Sequence, residues 1–428
     1  MSGGSGHEYW PTWRGPNMMG ISVEGNPPVK WSESENIKWK VKLTGDGSNS
    51  SPIIWKDKII FQTAVDTNRK GKDVPKNEED SKRRGRRGIG GKTPSNIFKF
   101  NLVCLNRKTG KLVWEKTVSE ILPHAGHHDD HGFASFSPVT DGKLIWASFG
   151  SRGLHCFDMD GNPKWSKELG KMNTVMSFGE ASSPSLAGDA VIVVFDHEGD
   201  SYIVAYNKET GDLIWKKDRD EGTSWATPIP VEVNGKLQVV VSATNLIRGY
   251  DVKTGDVIWQ CGGLTRNVIP SPVVGFGMIY CASGFRGSAL QAIELGRAGD
   301  LSGTDAIKWH VEEATPYVPS PLLYGDKLYV CSVNKGVISC YNAKTGRPYF
   351  LKEQLKEIKG IYASPAGVAG RIYFVGRNGV TYVVNSSEKF EVLAINKLDA
   401  KFDCSPAFAD NEIYLKGKEY LYCIANLK

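Results

Sequence analysis

The sequence predicts an all-β fold, an eight-bladed β-propeller with four antiparallel strands per blade and its ring closed by the N-terminal strand. Three observations predict it. A Ser-Pro or Thr-Pro pair opens a short apolar run eight times, at Ser51, Ser137, Ser183, Thr227, Ser271, Ser320, Ser364 and Ser405. After a first gap of 86 residues the spacings are 46, 44, 44, 49, 44 and 41, a period that marks repeated units of one small sheet each. A tryptophan ends most units: TGKLVW to Trp114, DGNPKW to Trp165, TGDLIW to Trp215, TGDVIW to Trp259 and TDAIKW to Trp309. The eighth unit stops after its third strand, while the run 36–43 (NIKWKVKL) carries Trp39 in the Trp position.

Taken in order, residues 1–6 (MSGGSG) read as an expression scar and 7–35 as an N-terminal extension. Residues 36–428 form a single propeller, in which 36–43 supplies the missing outer strand of the last blade and removes two open sheet edges. Blade one carries a basic insertion at 66–98. Within 66–92 stand ten Lys or Arg and five Asp or Glu, which is +5 of the chain's net +6. With almost no apolar residue, this stretch reads as a solvated insertion or as a contact for an anionic glycan, lipid head group or nucleic acid. Nucleic acid is disfavoured, because no aromatic residues interleave the charges. The unit from Ser183 to Trp215 shows the blade pattern best: four runs rich in β-branched and aromatic residues, separated by Gly, Asp and Asn turns.

Eight cysteines include no adjacent pair and no CxxC. Cys104, Cys156, Cys340 and Cys423 share one third-strand position, held elsewhere by Ala205, Gly249, Ala292 and Val383. They are expected to be small, reduced packing residues. At 40% hydrophobic and 23% charged, the composition is that of an ordinary globular chain. No stretch approaches 18 apolar residues, so no transmembrane helix is expected. The sequence carries no signal for association of two chains.

The repeat, its TGxxxW ending and the entry segment Trp10, Trp13-Arg14-Gly15-Pro16 resemble the pyrroloquinoline-quinone (PQQ)-like repeat family of bacterial eight-bladed propellers. The resemblance covers the whole chain and is greatest to secreted members outside the quinoprotein dehydrogenases. It implies a periplasmic or extracellular protein. Enzymes and scaffolds share the repeat, so it implies no single activity.

In a propeller, the link between blades lies on the same face as each loop between strands two and three. Here the opposite face has short generic turns, and this upper face gathers the unusual residues. The link into blade two holds His124, His127, His128, Asp129, Asp130 and His131; later loops and links add Glu180, Asp196, His197 and Glu198. Imidazole beside carboxylate suits a divalent metal (Zn, Mn, Fe or Cu, with Ca less suited), and these eight His and Glu/Asp residues, Asp129 and Asp130 apart, are the candidate ligands. The alternative is a hydrogen-bonded His-carboxylate network that orders a long loop. Arg152, Arg286 and Arg377 occupy equivalent loops, where guanidinium forks would suit an anionic group or pair with neighbouring carboxylates. His128, His131, Arg152, Arg286 and Tyr317 are the catalytic candidates. Trp225, Asn245, Arg248, Asn267, Tyr362 and Arg377 are candidate substrate contacts, with wedge packing as the other role for the aromatic ones. Arg266 falls on the same rim without an assigned role.

Three functions follow as expectations. One is a metal-assisted lyase or hydrolase acting on a carbohydrate or other polar, anionic small molecule or glycan. Another is a non-catalytic binding scaffold, similar to the propeller lipoprotein of outer-membrane assembly. The third, a PQQ-dependent dehydrogenase, is disfavoured: such enzymes are longer, carry a vicinal Cys-Cys pair and bind calcium through carboxylate and amide groups.

Overall fold

Every innermost strand starts at a Ser/Thr-Pro pair, and the chemistry of that pair explains how eight sheets meet. The computed structural model describes residues 9–45, 48–72, 90–332 and 335–427. In it the backbone N–H of Ser51 donates to the Ser137 hydroxyl oxygen, Ser137 to Ser183, and Ser183 to Thr227. Thr227 donates to Ser271, Ser271 to Ser320, Ser320 to Ser364, and Ser364 to Ser405. Ser405 then donates to Ser51, closing a circle of bonds between 2.9 and 3.2 Å long. The proline that follows each hydroxyl residue has no N–H, so it adds no buried donor at this crowded radius.

Around the circle stand eight antiparallel sheets, each with its first strand innermost. Blade three is representative, with strands Ser185–Ala187, Ala190–Phe195, Tyr202–Asn207 and Leu213–Asp218. In blade eight, Ala407–Ala409, Glu412–Lys416 and Tyr420–Ala425 are completed by Ile37–Lys42, with Trp39 opposite Cys423. The expected closure by the N-terminal strand is therefore observed.

The recurring tryptophans face two small residues. Across the strand pair, Trp114 lies opposite Cys104, Trp165 opposite Cys156, Trp215 opposite Ala205, Trp259 opposite Gly249 and Trp309 opposite Ala292. The small third-strand position is thus set by the indole beside it in register. All eight cysteines are free and buried. Each indole also covers the turn glycine of the next blade: Trp39 on Gly110, Trp114 on Gly161, Trp165 on Gly211, Trp215 on Gly255 and Trp309 on Gly346. A Cβ at these glycines would sit 2.6–2.9 Å from the ring, and their φ of +70° to +78° already disfavours other residues. The indole N–H donates to a backbone carbonyl of that turn, as from Trp39 to Arg107 (2.9 Å) and from Trp215 to Val252 (2.8 Å). Trp259 is the exception and donates to Gln238 in its own blade. There the short strand Gly299–Asp300 pairs with Trp259 and Gln260 in parallel and takes the outer position.

The N-terminal extension is part of the ring, not an appendage. It runs across the lower ends of the first strands, with Tyr9 and Trp10 pairing to Trp55 and Ile54 of blade one. Pro11 accepts from Thr140 of blade two, Ser22 donates to Gly367 of blade seven, and Trp31 stacks on Tyr373. In blade one, Lys58–Lys70 and Asn96–Asn106 form one long hairpin. Positions 66–70 and 96–98 of the expected insertion are consequently strand. The scar at 1–6 and most of the basic run, residues 82–89, lie outside the described residues.

Replacing Ser271 by Ala leaves the Thr227 N–H buried without an acceptor and is expected to cost about 1–3 kcal/mol. Ser271→Thr should retain most of that stability, since Thr227 already performs the same task in the circle. Urea unfolding of the two variants checks this, and equal loss in both contradicts it.

Candidate functional site on the upper face

The histidine-rich link is held by bonds to its own backbone and to loops on opposite sides of the ring. His124 Nε2 donates to Met172 O (2.7 Å), His127 Nδ1 to His128 O (2.8 Å) and His131 Nδ1 to Gly132 O (2.9 Å). His128 Nδ1 accepts from the Asp130 N–H at 3.1 Å. Burial, and then the neighbouring His127, push His131 down to about 4, so it is neutral at pH 7. The His128 N–H donates to Phe178 O in the link into blade three. Asp130 accepts from Arg377 at 2.6 Å and from Tyr362 at 2.9 Å, both in the region of blade seven, opposite blade three in the ring. The link spans the mouth of the ring. Burial opposes the Asp130 charge, yet Arg377 and Tyr362 outweigh it and hold the carboxyl below its ordinary range.

Most of the predicted anion-binding residues are already paired. Glu180 receives both guanidinium nitrogens of Arg152 (3.1 and 3.3 Å) together with Ser151. Asp196 holds Arg219 at 2.7 and 3.0 Å, with both side chains fully buried, and also accepts from Ser224. Arg248 donates to Glu221 at 2.8 Å and to Asp220. Arg377 bridges Asp403 and Asp130, with its guanidinium 4.0 Å from the Tyr362 ring. Glu198 accepts from the Thr223 N–H and hydroxyl, and His197, 6% exposed, accepts from the Asn173 N–H. Trp225 is buried and donates to Gly179 O, which is the packing role. Arg152, Arg248 and Arg377 therefore clip loops to links, and Tyr362 supports one of those clips. This corrects the expectation of a ring of free guanidinium forks. Arg219, Glu221 and Asp403 are the partners that sequence reasoning left without a role.

Two arginines differ. Arg266 and Arg286 are exposed and make no ion pair among the described residues. They line a cavity of about 490 Å³ with Thr244, Asn245, Leu264 and Thr265, between blades four and five. Two of the predicted residues, Asn245 and Arg286, meet here. Tyr317 stacks on Phe285 next to Arg286, at 5.2 Å. Burial raises the Tyr317 phenol, opposed by a hydrogen bond with Asn267, so it stays protonated at neutral pH. Arg286 and Asn267 sit at φ of 52° and 57°, and a non-glycine residue there marks local strain of about 1–3 kcal/mol. The Thr244 hydroxyl is buried in the wall without a hydrogen-bond partner.

Among the described residues, no group of three or more His, Cys, Asp or Glu side chains is placed to hold a metal ion. The eight predicted ligands thus do not converge into a ready-made Zn, Mn, Fe or Cu set. Of the upper-face carboxylates, Glu180, Asp196, Glu221 and Asp403 are engaged by guanidinium groups and Glu198 by Thr223.

Arg219→Met would leave Asp196 charged and buried, and should destabilise the protein by about 3–5 kcal/mol. Arg286→Met should change stability by less than about 0.5 kcal/mol, as a surface residue does. Denaturant midpoints of the two variants check the contrast between a structural and an unpaired arginine.

Comparisons agree with the geometry of the ring. A family model described as outer membrane protein assembly factor BamB matches residues 99–350. Comparison with curated proteins gives no match. BamB from Moraxella catarrhalis superposes with a TM-score of 0.57 at 15% identity, over 90% of this chain and 98% of that one. A europium-containing methanol dehydrogenase gives 0.62 at 9% identity over 98% of each chain. The computationally designed Ika8 protein gives 0.51 at 10% identity, over 78% of this chain and 95% of its own. At such identities these structures share the fold alone. The family model, by contrast, spans more than half of the 428 residues, and the chain belongs to the PQQ-repeat propeller family described as outer membrane protein assembly factor BamB.

Proposed function

We propose that the protein is a non-catalytic binding scaffold that receives an acidic segment of a partner protein at Arg266 and Arg286. One observation carries the reading: these two arginines are exposed over a cavity, whereas Arg152, Arg219, Arg248 and Arg377 on the same face are each tied to a carboxylate. Guanidinium groups recognise carboxylates in a planar, directional way, and the exposed Asn245 in the same lining supplies a neutral polar contact beside them. The family description, an assembly factor, favours a protein partner over a small molecule or glycan. It also favours the periplasm as the place of work.

The metal-assisted lyase or hydrolase loses support on the same face. His128 and His131 each commit a ring nitrogen to their own link, and Tyr317 is held protonated. A rim of arginines without an assembled set of acid, base and ligands suits recognition better than turnover.

Fluorescein-labelled octaglutamate tests this, with octalysine as control. Arg83, Arg84, Arg86 and Arg87 are first changed to Gln, because this run attracts polyanions by itself. Octaglutamate is expected to bind, to weaken as salt shortens the Debye length, and to lose at least about tenfold in affinity in Arg266→Glu/Arg286→Glu, where two like charges now face the ligand. Undiminished binding by the double variant overturns the proposal.

A further inference from the structure

The upper-face arginines are understood through their carboxylates, and the same test singles out Arg14 on the opposite side. Arg14 is 2% exposed. It lies in the N-terminal segment that crosses the lower ends of the first strands. Its Nη2 donates to Met19 O (3.0 Å) and to Pro321 O (2.7 Å), the latter in the first-strand region of blade six. Gly20 packs against the guanidinium, where a Cβ would stand 2.7 Å from Nη2 and 3.2 Å from Pro365 O. The group is thus wedged among first-strand carbonyls near the axis.

No acidic side chain accompanies it. Arg107, Arg152, Arg219 and Arg248, the other buried arginines, each hold an Asp or Glu. Arg14 has none among the described residues, and its Nε and Nη1 are buried without an acceptor. Burial pushes its pKa down to about 9, and the one opposing influence is the buried Cys331. Two further donors from the same five-residue stretch, the indole nitrogens of Trp10 and Trp13, are also buried without an acceptor. The Trp13 ring lies 5.5 Å from the guanidinium. Every unpartnered atom in this stretch is a donor, and a buried charge calls for a counter-charge.

We propose that Arg14 binds a small inorganic anion, of chloride size and charge, inside the lower end of the ring. A monatomic anion has no preferred direction, so it accepts from donors that share no common plane. Its charge replaces the carboxylate that the other buried arginines receive from the chain. The anion would be a structural ligand that fastens the N-terminal segment to the first strands, separate from the Arg266 and Arg286 cavity and independent of that proposal.

Crystals of the full chain grown in bromide test it, with anomalous scattering as the readout. The expected result is a bromide peak within about 4 Å of the Arg14 guanidinium. In solution, thermal unfolding in 100 mM chloride is compared with gluconate at equal ionic strength. Chloride should raise Tm by about 2–4 °C through binding to the folded state, and Arg14→Gln should abolish the difference. Absence of the peak, or a chloride effect that persists in Arg14→Gln, overturns the proposal. The crystallographic arm uses the wild-type chain and stands even if the variant does not fold.

Discussion

The circle of hydroxyl and amide groups at the axis is the constraint on which the rest of the protein hangs. Each member donates to the next blade and accepts from the previous one, so no blade can leave without breaking two bonds. Individually such bonds contribute about 1 kcal/mol, and their importance is mainly geometric. A chain of N–H to hydroxyl contacts near 3 Å sets the inner radius. At the outer radius, five indoles lying on the next blade's turn glycine help set the angle between sheets. Inner and outer contacts together fix a wedge, and eight such wedges make a closed ring.

The circle also decides where chemistry can stand. Every link between blades ends at a circle residue, so all links emerge on one face. That face must hold long, polar segments in place without secondary structure. The protein does so with guanidinium–carboxylate clips, buried from Arg152 to Glu180, Arg219 to Asp196 and Arg248 to Glu221, and half-buried from Arg377 to Asp403. A buried pair of this kind contributes little net stability beyond a hydrophobic pair, but it specifies a geometry, because either partner alone is costly. What looks from the sequence like a concentration of reactive groups is mostly the fastening of the links.

The ring was legible in the sequence because its determinants are periodic. Ser-Pro, the turn glycine, the tryptophan and the small residue opposite it recur with each blade, and the lone Trp39 near the N-terminus marked the strand that closes the last one. The site was less legible, because a clip joins a loop to an adjacent link across 23 to 28 residues, the following link in three cases and the preceding one for Arg248. That spacing is itself a usable signal, an Arg and a carboxylate recurring at similar separation in four blades. In blade three the order is reversed, with Asp196 in the loop and Arg219 in the link. Arg286 shows the limit of the rule. Glu312 stands at a comparable distance, and the neighbouring Glu313 turns to Lys352 instead, leaving Arg286 unpaired. From sequence, Asn245 and Arg286 are indistinguishable from Trp225, Tyr362 and Arg377; the folded chain separates the first two, which line the cavity, from the others, which are packed or paired.

The pairing of Ile37–Lys42 with Tyr420–Ala425 has a consequence for biosynthesis. This strand, made before any blade, is the last to find its neighbour. At about 5–20 residues per second, Trp39 waits on the order of 20–80 s for Cys423. During that time an amphipathic strand and Trp31, whose partner Tyr373 belongs to blade seven, have no sheet to join, whereas Tyr9 and Trp10 meet blade one early. Completed blades meanwhile accumulate with the hydroxyl circle open between Ser405 and Ser51. Emergence of Tyr420–Ala425, not the folding of any single earlier blade, is the event that closes the ring.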